Sequence, residues 1–400
     1  MKKFLAFILI NVAFVFCTKA QNVWTASTNF GGLARYHAAG FSIGSKGYIG
    51  TGWNGTTNYN DFWEYNPGNN TWSQMAIFPG VARYACVGIS IGNKGYIGCG
   101  RVNNTYYNDF YEYDPSNNTW IQKTNFPGTT RHHPVGVGFS TKGYIGLGQN
   151  GSTLYADWYE YTPATDSWLQ KTNFIGVARH AAVALTIGNK GYVGCGYTGT
   201  GYTTTFYKYD PVADAWTQIT NYGGSGKEHC FGFGIGAKGY VGSGYSGSVD
   251  TRDFWEYDTL SNAWIQRANF GGTAREGAVG FAIGTKGYAG TGFDGVNTLD
   301  FWEYAPASTG IQSFTDEMKV KIFPNPMTAS TTILIPPEFQ NGSGTLRFSL
   351  YDIQGNKVRE IQTLTTSEFK MERGTLMSGV YFYGFYKEGK QIANGKLIVE

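Results

Sequence analysis

Six tryptophans, Trp24, Trp72, Trp120, Trp168, Trp216 and Trp264, stand 48 residues apart, and a Lys-Gly-Tyr triplet starting at Lys46, Lys94, Lys142, Lys190, Lys238 and Lys286 keeps the same interval. Two markers in one register mean one unit copied six times. Such a unit cannot bury its apolar face alone, so the copies must pack on one another. The period thus constrains the architecture before any residue chemistry is considered.

One copy reads as four strands. Tyr84 to Ile91 is small and apolar, as a buried strand (a) requires. Gly92-Asn93-Lys94-Gly95 is a tight turn, because Gly and Asn tolerate positive φ. Tyr96-Ile97-Gly98-Cys99-Gly100 forms strand b, whose glycines imply close backbone approach at a crowded centre. After a variable stretch, Asp109 to Tyr113 is strand c, Asp114-Pro115-Ser116-Asn117-Asn118 turns the chain, and Trp120-Ile121-Gln122 opens strand d. Four antiparallel strands per unit describe a propeller blade. The last copy ends after strand c, at Asp300–Tyr304, whereas Val23-Trp24-Thr25 precedes any strand a. The N-terminal segment is therefore expected to supply strand d of the sixth blade, since two open sheet edges are an aggregation hazard. The tryptophans and the Phe-Trp-Glu-Tyr strands are expected to be core. Each buried Trp contributes a gross ~4–6 kcal/mol before entropy costs.

These residues resemble the kelch family: a Gly-containing strand b, then a Tyr and a Trp separated by six residues, as in Tyr113 and Trp120, although the usual Gly-Gly doublet is here Gly98-Cys99-Gly100. The resemblance covers residues 22–305 and implies an all-β, six-bladed kelch-type β-propeller closed by the N-terminal strand.

Composition supports export and excludes several partners. Aromatics are 17% of the chain and charged residues only 15%, which opposes disorder. Three of the 31 basic residues, Lys2, Lys3 and Lys19, lie at the N-terminus; the other 28 balance 28 acids, so neither nucleic acid nor an anionic membrane is indicated. Lys2-Lys3, the apolar run Phe4–Phe16 and Thr18-Lys19-Ala20 read as a signal peptide over residues 1–20, a reading favoured over lipidation at Cys17. No later stretch is apolar enough for a transmembrane segment. Cys86, Cys99, Cys195 and Cys230 read as buried free thiols, and no cysteine spacing marks a zinc site.

The period stops after Tyr304. A polar linker at 306–318 precedes alternating segments at Val320–Phe323, Thr331–Ile335, Leu346–Tyr351, Val380–Tyr383 and Lys396–Val399, which suggest a small C-terminal β-sandwich. Phe323-Pro324-Asn325-Pro326, Leu350-Tyr351-Asp352 with Gly355, Leu376 to Tyr381, and the terminal Gly395 to Glu400 resemble the sorting domain of the type IX secretion system of Bacteroidota. For residues 319–400 the resemblance implies engagement of the type IX secretion machinery, then release or attachment at the cell surface.

Candidate ligand contacts follow from the repeats. The a–b turns are nearly constant, whereas the b–c connections differ in every copy, and binding residues favour such divergent loops. All five histidines fall one or two positions after a repeated basic residue: His37 after Arg35, His132 and His133 after Arg131, His180 after Arg179, His229 after Lys227. With Arg83 and Arg275 these residues are expected to form a basic, His-bearing mouth on the d–a/b–c face, suited to an extracellular glycan or protein. A structural role stands beside it, each Arg pairing with a strand-c Glu such as Glu64. His37, His133 and His229 recur in every second copy, but strand a should aim its side chains at neighbouring blades, so neither metal nor other cofactor is expected. The repeated Asp61, Asp109, Asp157, Asp253 and Asp300 read as turn chemistry. No catalytic constellation stands out, which favours a non-catalytic surface binder over a carbohydrate-active enzyme of sialic acid mutarotase type.

Overall fold

The computed structural model describes residues 22–306 and 320–400, the latter without 341–344, 354–355, 363, 365 and 388–389. The expected signal peptide, Cys17 and nearly all of the linker lie outside the described residues. The chain divides into two compact units, Met1–Ala307 and Ser308–Glu400.

The first unit holds six four-stranded antiparallel sheets, one per repeat. In the second repeat strands a to d are Val87–Ile91, Lys94–Gly98, Phe110–Asp114 and Thr119–Lys123, each paired with the next. In the sixth, Val279–Ile283, Lys286–Gly290 and Phe301–Ala305 are followed by Val23–Ser27, which pairs Val23 with Ala305 and Trp24 with Tyr304. The innermost strands lie side by side, and glycine makes this possible. A Cβ on Gly40 of the first strand a would stand 2.1 Å from Cγ1 of Val279 in the sixth.

Strand a is shorter than its sequence suggests. Ala85 has φ 57°, so the strand proper starts at Val87, and Tyr84 makes only an isolated bridge to Arg101. The same left-handed kink recurs at His37, His133, Ala181, His229 and Gly277. At these kinks the repeats are stitched by backbone bonds. Ala85 N–H donates to His37 O, His133 to Ala85, His229 to Ala181, Gly277 to His229, and His37 back to Gly277, at 2.9–3.1 Å.

Each repeated tryptophan joins two repeats. Trp120 packs on Tyr113 of its own sheet, on Phe62 of the preceding one and on the connecting Phe78, with centroids 4.9–5.5 Å apart. Trp168, Trp216, Trp264, Trp72 and Trp24 repeat this arrangement, Trp24 against Tyr304, Phe254 and Phe270. The strand-c Phe and Tyr are fully buried, whereas most of these tryptophans are half-buried, because strand d is the outer strand. Cys86, Cys99, Cys195 and Cys230 are free thiols.

In the second unit a three-stranded sheet (Lys321–Phe323, Ser330–Leu334, Glu368–Glu372) and a four-stranded sheet (Lys357–Ile361, Leu346–Tyr351, Gly379–Lys387, Lys390–Val399) enclose Met327, Ile333, Phe348, Leu350, Phe385 and Leu397.

Candidate functional site

The repeated cations are inside the wall. Arg35, Arg83, Arg131, Arg179, Lys227 and Arg275 are at most 1% exposed. Arg83 shows why. Its Nε–H donates to Val81 O, Nη1 to Cys99 O and to Asp109 Oδ1, and Nη2 to Asp109 Oδ2 at 2.7 Å, while the guanidinium lies over Tyr107 and Phe78. One planar fork thereby ties the d–a connection, strand b and the start of strand c. Arg35, Arg131 and Arg275 do the same with Asp61, Asp157 and Asp300, and Lys227 with Asp253. In the fourth repeat Arg179 meets the Thr205 hydroxyl at 3.0 Å instead of an acid. Charge follows partner. Burial opposes the charge on Arg83, yet Asp109 holds its affinity for the proton above normal, whereas burial lowers that of Arg179.

Three expectations are corrected here. These cations do not line the mouth, and their partner is not the strand-c Glu. Glu64 instead accepts from Tyr48 at 2.7 Å and pairs with Lys46. The repeated aspartates are ion-pair partners rather than turn formers.

The histidines are brought together. The left-handed backbone at positions 37, 133 and 229 lies two residues before strand a, and there the imidazoles converge instead of packing between sheets as expected for strand a. The ring centroids of His37, His133 and His229 are 4.3–4.7 Å apart. They cap a cavity of about 140 Å³ that is also lined by Ala85, Ala181 and Gly277. Burial first, and then the neighbouring histidines, hold His37 and His133 well below the usual imidazole range. Gly277 is required by this packing, since a Cβ there would lie 2.4 Å from Cδ2 of His37.

One residue earlier in each repeat lies a second ring. Tyr36, Tyr84, His132, His180, Glu228 and Glu276 each bridge through the backbone to Trp53, Arg101, Gln149, Tyr197, Tyr245 and Phe293 respectively, just beyond strand b. The backbone pattern is constant and the side chains vary. Trp53 stacks on Tyr84 at 5.0 Å and also meets Tyr36, which meets Phe293. Arg101 donates to the Tyr84 hydroxyl at 2.6 Å and toward His132 Nε2 at 3.4 Å, while His132 Nδ1 bonds Gln149 O. Opposite in character are Glu228, Glu276 and Asp250. Burial and nearby acids raise the Asp250 carboxyl to about 6, and burial raises Glu228, whose Oε2 lies 3.7 Å from His180 Nε2. Burial, chiefly, takes His132 down to about 3 and His180 to about 4.

The sequence reading found the histidines and the loops opened by Trp53, Arg101 and Tyr245, but not Tyr36, Tyr84, Glu228 or Glu276. Their signal was available: they flank the repeated kink at a fixed position yet change from Tyr to His to Glu in successive pairs of copies.

Residues 321–400 match the family described as the Secretion system C-terminal sorting domain. This segment is a type IX sorting tail. The chain is therefore exported by type IX secretion, to be released or displayed at the cell surface, and the tail engages that machinery. Among the described residues no helix is long and apolar enough to cross a membrane. Deleting residues 321–400 is expected to hold the protein in the periplasm, as cell fractionation would show; unchanged delivery outside would contradict this. No curated protein matches the chain. A solved structure titled "Structure of YjhT" is similar over 71% of this chain and 98% of that one, with TM-score 0.61 and 14% identity. At that identity the likeness concerns the all-β fold alone.

Proposed function

We propose that the repeats form a closed six-bladed kelch-type propeller that acts outside the cell as a non-catalytic glycan-binding protein. The pairing of Val23–Ser27 with Phe301–Ala305 and the bond from His37 back to Gly277 support closure. The ring of variable side chains on a constant backbone carries the binding reading. Residues freed from packing duty and gathered around one opening are where recognition is built.

The chemistry suits a polyhydroxylated ligand. Aromatic faces at Trp53 and Tyr197 offer stacking surfaces for the apolar faces of sugar rings, with Tyr84 buttressing Trp53 from behind, while Arg101, His132, Glu228 and Glu276 supply donors and acceptors of both charges. A glycan array probed with the full-length protein is expected to retain a defined set of sugars. Trp53→Ala is expected to weaken the best of them about 30-fold in calorimetry, roughly 2 kcal/mol for an aromatic anchor. An empty array, or affinity untouched by Trp53→Ala together with Tyr84→Ala, would refute the assignment.

A second reading rests on Glu228. A buried carboxyl with a raised proton affinity beside His180 is a proton-transfer pair, as a sugar mutarotase needs. Faster anomer exchange by NMR, lost in Glu228→Gln, would favour it over simple binding.

A further inference from the structure

We infer that His37, His133 and His229 form a three-histidine site for a divalent transition-metal ion of the zinc class, independent of the glycan reading. Each residue offers one nitrogen, and the three nitrogens lie within 4.8 Å of one another. Around a tetrahedral ion held at about 2.0–2.1 Å, donor nitrogens stand roughly 3.3–3.4 Å apart, a separation that small rotations of three converging rings can reach. Imidazole nitrogens with no hard oxygen ligand among them suit zinc, cobalt, nickel or copper rather than calcium or magnesium.

Three further observations point to a ligand. Both ring nitrogens of His37 and Nε2 of His229 are buried without a hydrogen-bond partner among the described residues. Buried polar atoms are seldom left so. His229 places Nδ1 2.7 Å from Glu276 Oε2, a carboxylate that can accept the Nδ1 proton, and its Nε2 is the nitrogen without a partner among the described residues. Carboxylate–histidine–metal relays use this arrangement. Finally, the intervening positions of the same backbone ring are Ala85, Ala181 and Gly277, and Gly277 has no space for a Cβ beside His37. Histidine thus alternates with residues that leave room, which hydrogen bonding alone does not require. Three protein ligands leave a coordination position open, as in exchangeable rather than sealed sites.

The test uses full-length protein stripped with a chelator and titrated with Co²⁺, whose d–d absorption reports coordination. One Co²⁺ per chain is expected, displaced by one equivalent of Zn²⁺. His133→Ala and His229→Ala are expected to weaken binding at least ~100-fold and Glu276→Gln roughly 10–100-fold. Alanine already occupies this backbone position at Ala85 and Ala181, so the ring accepts it. X-ray absorption of the zinc-loaded wild type gives an answer that needs no variant: a shell of three imidazoles is expected. Binding below one equivalent, binding unaltered in His133→Ala, or a shell of oxygen or sulfur would overturn the site.

Discussion

Deletion of residues 22–27 is expected to abolish the soluble monomer, even though it removes only one outer strand. That strand pairs along its whole length with Phe301–Ala305 and brings Trp24 against Phe231, Phe254, Phe270 and Tyr304, three of them at 4.9–5.1 Å. A fully buried Trp contributes a gross ~4–6 kcal/mol and the half-buried Trp24 a part of that, and a whole domain has only about 5–15 kcal/mol of net stability. The deletion also bares the backbone edge of a strand whose Phe301 and Tyr304 belong to the core, a template for association between chains. Size-exclusion chromatography with light scattering should show aggregate or an expanded chain. A truncated protein eluting as a compact monomer with an unchanged melting temperature would mean that the sixth sheet does not depend on this strand.

Asp109→Ala is expected to cost about 3–5 kcal/mol, read from the shift in the denaturation midpoint, because it strands the Arg83 guanidinium in a dry wall. The interior location decides the size: an exposed pair of the same geometry would be worth ~1 kcal/mol or less. Asp109→Thr should cost less than Asp109→Ala, since the fourth repeat already satisfies Arg179 with the Thr205 hydroxyl and carbonyl. Replacing both partners, Arg83→Met with Asp109→Leu, should recover most of the loss by removing charge and counter-charge together. If Asp109→Ala loses under ~1 kcal/mol, the repeated ion pair is not what fixes the d–a connection.

The period, the Gly-Asn turns and the missing strand d were legible because they are local or count along the chain. The partner of each Arg was not. Arg83 and Asp109 are separated by about half a repeat, and nothing in their spacing tells Asp109 from Glu112, three residues on, which instead accepts from Tyr96. The convergence of His37, His133 and His229 was set aside for a conformational reason. Positive φ at His37 or Ala85 leaves no mark in residue type, and only Gly277 at the equivalent position hints at it. In the tail, Lys357–Ile361 and Glu368–Glu372 escaped because charged residues outnumber apolar ones in both strands.

The buried Arg–Asp forks and the tryptophan clusters carry the fold, whereas Tyr36, Tyr84, His132, His180, Glu228 and Glu276, beside their varied side-chain contacts, are held to their partners by backbone bridges that any residue provides. On the proposed binding reading, stability and specificity fall to different residues of each copy. Exchanging the rim side chains singly or in sets should leave folding largely intact. The scaffold can then drift, or be redesigned, toward new ligands much as antibody loops do on an unchanging framework.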